Sequence, residues 1–293
     1  MNRTVLLTGG TGFLGSHLLE AFLQQGYSVS LLKRSSSDLK RIKHLTDNIL
    51  VYDIDGDGIE KPFIDRPITD VVHVACSYGR HGQSINDVME VNVMYGLRLW
   101  NAAVKYNVKF FFNTDTLLPP DVSDYALSKK QFSEWLYKGR DKLKVINLRL
   151  EQMYGSRDDV SKFIPWLISQ LAENVEKIPL TQGNQLRDFT HVDDVVSAFL
   201  STIKSADALP DFSSFDVGTG NPVTVREFVT EITRVYKLMN SQCTSDLSFG
   251  SLPLRDGEAM EIKLDNSKLL ELGWRPKYWS KETGIKRLFE DLK

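Results

Sequence analysis

The sequence predicts an α/β protein: a doubly wound parallel sheet joined to a smaller, mostly C-terminal α/β lobe. Three observations carry this. Short apolar runs of strand type alternate with helical stretches over the first half of the chain, the pattern of parallel strands joined by crossover helices. The first run ends in a glycine-rich turn that opens a helix. The stretches with chemical character follow predicted strand ends, where open α/β sheets bind their ligands. The strict alternation stops near Ser156. Residues 1–155 are therefore assigned to the first domain, with returning segments near 188–205 and 214–220, and residues 156–293 mainly to the second lobe.

Composition narrows the class. A chain of 293 residues suits one large domain or two joined ones. Hydrophobic content of 42% and charged content of 25% are ordinary for a soluble globular protein. A net charge of −2 gives no drive toward nucleic acid or anionic membranes. Cys76 and Cys243 are far apart, show no metal-ligand spacing, and read as two reduced thiols; no metal site is expected. No apolar run has transmembrane length, and the N-terminus reads as a strand and turn, not a signal segment. A cytoplasmic protein without a membrane partner is expected.

The first element is the strand Thr4–Thr8, followed by Gly9-Gly10-Thr11-Gly12-Phe13-Leu14-Gly15 and a helix that stops at Gly26. Glycines allow a tight turn and close approach to a pyrophosphate, and the helix N-terminus offers it free N–H groups. Thr11, Phe13 and Leu14 lie in this predicted anion cradle. An ordinary tight turn is the competing reading. Ser28–Leu32 is the second strand, ending in Lys33-Arg34-Ser35. Cations and small hydroxyls at that place suit a ribose 2′-phosphate, which favours NADP(H) over NAD; the alternative is a solvated basic strand end. Ile49–Ile54 is the third strand, with Asp53 and Ile54 at its end. Val71–Ala75 is the fourth, followed by Cys76-Ser77-Tyr78-Gly79-Arg80. One long helix is expected from Ile85 to about Tyr106, capped by Ser84, with Asn92 inside it.

Lys109–Asn113 is predicted to be the fifth strand and to deliver Thr114-Asp115-Thr116 into a short loop. A helix from about Tyr125 to Tyr137 follows, then a sixth strand, Lys144–Arg149, leaving through Glu151 and Gln152. Tyr125 and Lys129, four apart on a helix, share one face. A hydroxyl at the preceding strand end can meet them. The tyrosine can carry a proton, and a lysine ammonium can lower its pKa from the usual value of about 10. Beyond residue 156, Lys162-Phe-Ile-Pro165 opens a helix. Asp193 and Asp194 read as caps of a later one.

Taken together, these stretches resemble the extended short-chain dehydrogenase/reductases, the NAD-dependent epimerase/dehydratase family. The likeness is carried by Gly9-x-x-Gly12-x-x-Gly15, by Thr114 with Tyr125-x-x-x-Lys129, and by Arg187-Asp188-Phe189 running into Val195. It continues through Phe215–Gly220, Arg255-Asp256-Gly257-Glu258 and Leu272-Gly273-Trp274-Arg275-Pro276, so it covers nearly the whole chain. The resemblance implies a Rossmann-type sheet and a Thr114/Tyr125/Lys129 catalytic set. It implies cofactor contacts from Gly9, Thr11, Gly12, Phe13, Leu14, Gly15, Lys33, Arg34, Ser35, Asp53, Ile54, Ala75, Asn92, Tyr125 and Lys129, with Asn92 also holding the central strand and its catalytic residues in place, or else being a surface polar residue. It further implies substrate contacts from Tyr78, Asp115, Glu151, Lys162, Arg187 and Arg255, the two arginines facing a diphosphate through their planar forks.

The residues after Thr114 bear on the reaction. Nucleotide-sugar 4,6-dehydratases carry Thr-Asp-Glu there and use the Glu as a base. This chain has Thr114-Asp115-Thr116, and a threonine hydroxyl is too weak a base to replace it. Asp115 is read either as a reacting group or as a loop-capping carboxylate. The combination with Leu148-Arg-Leu-Glu151 and Lys162-Phe-Ile-Pro resembles the nucleotide-sugar 4-ketoreductases that include the CDP-abequose synthases. The resemblance implies NADPH-dependent reduction at C4 of a CDP-, GDP- or dTDP-linked 4-keto-deoxysugar for bacterial surface polysaccharide. Two alternatives stay open: a C4 epimerase holding NAD tightly, and an NADP-binding regulator without catalysis. Only ten residues separate Thr114 from Tyr125, fewer than is usual in the family, which implies a wider sugar pocket. A homodimer through the helices at about 85–106 and 125–138 is expected from the resemblance.

Overall fold

The computed structural model describes residues 3–80, 82–255 and 257–291; Asp256 of the Arg255–Glu258 stretch lies outside them. In chain order the elements are β1 (Thr4–Thr8), α1 (Phe13–Gln24), β2 (Ser28–Lys33), β3 (Leu50–Asp53), α2 (Lys61–Asp65), β4 (Asp70–His73), α3 (Ile85–Met89), α4 (Tyr95–Lys105), β5 (Phe110–Thr116), α5 (Asp124–Lys138) and β6 (Lys144–Leu150). Then come β7 (Gln152–Tyr154), α6 (Phe163–Ala172), β8 (Lys177–Leu180), β9 (Leu186–Arg187), β10 (Phe189–His191), α7 (Val192–Ser205), β11 (Phe212–Val217), β12 (Val223–Thr224), α8 (Val225–Met239), β13 (Asp246–Phe249), α9 (Ser267–Glu271) and α10 (Lys281–Asp291). The chain divides into two compact units: Met1–Leu150 with Ala198–Asp216, and Glu151–Ser197 with Val217–Lys293.

The first unit is built on a seven-stranded sheet in the order β11-β6-β5-β4-β1-β2-β3. From β3 across to β6 every neighbouring pair is parallel. Val5, Leu6, Leu7, Val71, Val72, Phe111 and Phe112 have no exposed surface, as expected of strands covered on both faces. Strand order reverses at β1, which lies between β4 and β2. The crevice at such a switch point is where this architecture binds ligands. The loops after β1 and β4 flank it.

Two elements differ from the sequence expectation. The helix expected from Ile85 to Tyr106 contains a π-helical turn, Glu90–Met94, between α3 and α4. The wider turn carries Asn92, which is fully buried; such turns concentrate at functional sites. Strand β5 also runs further than Asn113. It stays in register with β6 through Thr114↔Leu148, Asp115↔Arg149 and Thr116↔Leu150, because β6 itself extends to Leu150 and keeps offering a partner.

The second unit has its own core, in which Tyr154, Leu167, Ile178, Phe228, Ile232 and Ile285 are packed together. Its strands form the small pairs β7–β10, β9–β12 and β8–β13. Trp274 is buried, and its indole N–H donates to Ser197 Oγ at 2.8 Å. Asp193 and Asp194 are not helix caps: α7 begins at Val192, which places both in its first turn. Asp194 instead accepts the backbone N–H groups of Lys277 and Tyr278 at 2.7 and 2.8 Å, tying down the C-terminal segment. No helix is long and apolar enough to cross a membrane among the described residues.

Candidate active site

The glycine turn after β1 is shaped by backbone contacts. Gly9 has φ +70°, a left-handed value that favours glycine. A Cβ there would lie 2.6 Å from Ala75 N, so only glycine lets the loops after β1 and β4 come together. A Cβ at Gly15 would strike the Gly9 carbonyl oxygen and approach Gly10 Cα to 2.7 Å. A Cβ at Gly12 would meet only the Gly9 carbonyl oxygen, at 3.3 Å. Gly12 is the N-cap of α1 and supplies no side-chain cap. The first turn of that helix thus presents its amides and positive dipole end to an anion. Phe13 and Leu14, the next two residues, are buried.

The basic end of β2 is partly neutralised. Lys33 Nζ lies 3.4 Å from Asp53 Oδ2 and donates to the Arg34 carbonyl at 3.1 Å. Ser35 N–H donates to Asp55 at 2.8 Å. Arg34 is exposed. Asp53 is held below the usual carboxylate range by Ser35 and by Lys33. Ile54 N–H extends the pairing to the Lys33 carbonyl at 2.8 Å, and its side chain packs on the sheet core. Arg41, which sequence reasoning missed, reaches the Thr11 carbonyl at 3.5 Å. It sits in a polar run without a spacing signature.

Thr114 and Thr116 share one face of β5, and Asp115 points to the other. Thr114 Oγ1 donates to the His73 carbonyl on neighbouring β4 at 3.1 Å. Asp115 is 3% exposed. Its carboxylate accepts from Asn147 at 3.1 Å and from the Thr116 N–H at 2.7 Å, and pairs with Lys130 at 3.5 Å. Lys130 also donates to the Thr116 carbonyl. Asp115, expected at the substrate, is thus held among groups of the first unit on the face opposite Thr114. The longer strand is the reason, since alternation in β5 turns it away.

Helix α5 starts where Ser123 Oγ accepts the Ala126 N–H at 3.2 Å. This cap, missed in the sequence, places Tyr125 and Lys129 in the first turns. The Tyr125 ring lies 4.8 Å from that of Tyr78. Burial pushes the Tyr125 hydroxyl well above the usual value, with further upward contributions from Cys76, Tyr78 and Asp115; the Thr116 side chain acts downward. The expected lowering by Lys129 is not among these influences: burial dominates at Tyr125, and burial also lowers Lys129. Tyr125 is therefore protonated at neutral pH.

Lys129 is 1% exposed, and its Nζ has no hydrogen-bond partner among the described residues. A buried amine without an acceptor is costly, so this position fits a ligand that brings hydroxyl oxygens. Asn92 holds the surroundings in place. Its Oδ1 accepts the Ser77 N–H at 2.7 Å, and its Nδ2 donates to the Ser77 carbonyl at 2.8 Å and to Ser128 Oγ at 2.9 Å. Ser128 Oγ in turn donates to the Tyr125 carbonyl at 2.8 Å. Asn92, expected among cofactor contacts, thus has its amide engaged by protein and positions the segment after β4 against α5. Beneath them His73 is fully buried; burial and Lys129 push it down to about 3, so it is neutral, and its Nδ1 bonds Thr8 Oγ1 at 2.8 Å. No sequence pattern pointed to Thr8, His73 or Ser128, whereas Ser77 lies in the stretch after β4 that the sequence singled out. Cys76 and Cys243 are both free.

In the second unit Arg187 is 5% exposed. Its Nη2 donates to Glu258 at 2.8 Å and to the Ala259 carbonyl at 2.6 Å, and its Nη1 to the Leu186 carbonyl at 2.7 Å. Asp188 anchors the turn after β11, accepting the N–H groups of Thr219 at 2.8 Å and Gly220 at 2.7 Å. Glu151 accepts the Asp188 N–H at 3.0 Å, while its other oxygen is buried without a partner among the described residues. Burial raises Glu151 to about 8. Lys162 precedes α6 and pairs with Asp158 at 3.4 Å. Arg255 is exposed.

A family model described as the NAD dependent epimerase/dehydratase family matches residues 5–218. The chain belongs to that family. It is 31% identical to a CDP-abequose synthase of Salmonella typhimurium strain LT2, over 100% of this chain and 99% of that one. It is 33% identical to a CDP-abequose synthase of Salmonella muenchen, over 98% and 97%. Among solved structures it is similar to a UDP-glucose 4-epimerase of Thermus thermophilus in complex with NAD. That match has a TM-score of 0.80 at 26% identity and covers 99% of this chain and 98% of that one. As a member of this family the chain is an enzyme with a nicotinamide-dinucleotide fold, and three features of its first unit fit such a cofactor. These are the glycine turn that a Cβ would block, the helix N-terminus without a side-chain cap, and the buried Lys129 amine lacking an acceptor.

Proposed function

We propose that this enzyme reduces the C4 keto group of a nucleotide-activated 4-keto-deoxysugar with NADPH, in the making of sugars for bacterial surface polysaccharide. The sugar is a CDP-4-keto-3,6-dideoxyhexose, or a GDP- or dTDP-linked 4-keto-6-deoxysugar. The observation that carries this reading is the protonated Tyr125 near Thr116, which stands where a dehydratase of the family has its glutamate. A proton donor is present, and the base that elimination needs is absent. The likeness to CDP-abequose synthases over the whole chain supports the substrate class.

NADPH, when bound, supplies the hydride for C4. The turn from Gly9 to Gly15, with Thr11, Phe13 and Leu14, holds its pyrophosphate, and Lys129 gives its amine to the nicotinamide ribose. Asp53, Ile54 and Ala75 border the dinucleotide. Arg34 and Ser35 face the 2′-phosphate; Lys33, paired with Asp53, contributes less. Thr114 turns its hydroxyl from the His73 carbonyl to the C4 oxygen. Tyr125 gives that oxygen its proton as charge develops, help worth roughly 10² to 10⁴ in rate. Tyr78 flanks the sugar from its tilted ring contact with Tyr125. In the second unit Arg187 and Arg255 serve the diphosphate, with Glu151 and Lys162 as further polar contacts. Exposed Ile85, Met94, Leu127 and Trp135 on α3, on the π-turn and on α5 fit a homodimer, and a cytoplasmic site suits the two free thiols.

A C4 epimerase is the second reading, favoured by the likeness to a UDP-glucose 4-epimerase complexed with NAD. The deciding experiment follows NADPH and NADH oxidation at 340 nm with enzymatically made CDP-, GDP-, dTDP- and UDP-4-keto-deoxysugars. NADPH consumption with one nucleotide series establishes the reductase and its base. No consumption, together with interconversion of C4 epimers by enzyme carrying tightly held NAD, establishes the epimerase instead.

A further inference from the structure

The arginine assigned to the diphosphate already has an anion. Arg187 sits in β9, paired with β12 through Val223↔Arg187 and Thr224↔Leu186, so its backbone is fixed. Its guanidinium is 5% exposed and grips Glu258 Oε1 at 2.8 Å. Two further contacts close the same segment onto it: the Ala259 carbonyl accepts from Arg187 at 2.6 Å, and Leu186 N–H donates to the Met260 carbonyl at 2.8 Å. Glu258 lies in a stretch without regular structure, between β13 and α9, and is more open, its side chain 27% exposed. A buried cation thus holds a more exposed carboxylate on a segment without regular structure.

The neighbouring carboxylates do not take this role. Asp188 is engaged by Thr190, Thr219 and Gly220. Glu151, raised to about 8 by burial, is largely neutral at pH 7. Among the described residues Glu258 is therefore the carboxylate that balances Arg187, and a buried guanidinium left without a partner would be strongly destabilising.

We infer that Glu258 is a stand-in anion: its carboxylate holds the Arg187 guanidinium until a nucleoside diphosphate displaces it, so Glu258 sets the affinity and anion selectivity of the substrate site. This rests on the diphosphate role proposed for Arg187. The exchange swaps one charge-assisted pair for another with more acceptor oxygens. A single inorganic anion without a nucleoside gains too little from other contacts to dislodge Glu258. The segment from Glu258 to Met260 is released when the diphosphate takes its place.

The test is calorimetric binding of CDP, GDP, dTDP and UDP, of the matching uncharged nucleosides, and of inorganic phosphate to the full chain. Glu258→Gln keeps the size of the side chain but removes its charge. It is expected to bind the preferred diphosphate about 10-fold more tightly, to gain affinity for inorganic phosphate, and to leave nucleoside binding unchanged. In an Arg187→Gln background the Glu258→Gln effect should vanish, as in a double-mutant cycle with a shared partner. Equal or weaker diphosphate binding by a Glu258→Gln protein that melts cooperatively well above the assay temperature overturns the inference and leaves the substrate class standing. Failure of the wild type to bind any of the four diphosphates overturns both.

Discussion

The Tyr78 and Tyr125 rings lie 4.8 Å apart and 34° from coplanar, and the Thr116 side chain acts downward on a Tyr125 hydroxyl that burial pushes up. The aromatic contact holds the Tyr125 ring. Thr116 Oγ1 accepts the Leu118 N–H at 3.2 Å.

Tyr125→Phe should bind NADPH nearly as the wild type does and lose turnover by roughly 10² to 10⁴. Thr116→Val should lower kcat by about 10-fold and shift the alkaline limb of the pH profile upward, because a phenolate loses its donor. Thr116→Ser should restore both. Steady-state rates from pH 6 to 10 decide; full turnover in Tyr125→Phe would remove this residue from the chemistry.

The glycine turn allows a graded comparison. Gly15→Ala drives a Cβ onto the Gly9 backbone, whereas Gly12→Ala meets only the Gly9 carbonyl oxygen at 3.3 Å. Backbone cannot yield as a side-chain tip can. Gly15→Ala should therefore abolish NADPH binding or unfold the first unit, while Gly12→Ala should keep the fold and weaken NADPH several-fold. Nucleotide fluorescence titration with parallel melting curves separates the two; equal behaviour of the variants would contradict the geometry.

Asn92 acts through Ser77 and Ser128. Asn92→Ala leaves the Ser77 N–H and carbonyl buried without their partners, which should destabilise the fold by about 2–4 kcal/mol. Urea unfolding measures the loss. The loop after β4 should loosen as well, so cofactor affinity should fall even where the variant remains folded.

Glu151 gives a pH signature. Its folded value of about 8 lies above its ordinary 4.5, so the fold favours the protonated acid. That stabilisation is fully present below about pH 4.5 and is lost as pH rises through 8. Glu151→Gln should keep it, and the variant should gain about 2–4 kcal/mol on the wild type between pH 5 and pH 9. Melting temperatures of both proteins across that range provide the check; parallel curves would show that the carboxyl is already ionised at neutral pH.

The alternation of apolar runs and glycine turns was enough to read the parallel sheet, because strand burial and crossover connection leave a local, periodic mark. Tyr125 and Lys129 were legible for the same reason: helical spacing alone puts them on one face. The signals at Arg187 and Glu258 were also visible, but as separate cations and anions in two distant stretches. Their 2.8 Å pairing is a matter of tertiary contact that no spacing encodes.

By itself, then, the sequence determined the class of sheet, the place of the glycine turn and the residue types able to carry a proton, all of which depend on neighbours a few positions apart. Only the tertiary structure decided which face Asp115 takes, that the helix around Asn92 widens into a π-turn, and which carboxylate balances Arg187. Those outcomes rest on competition for partners among groups brought together from remote parts of the chain. A hydrogen bond or ion pair goes to whichever buried group would otherwise be left unsatisfied.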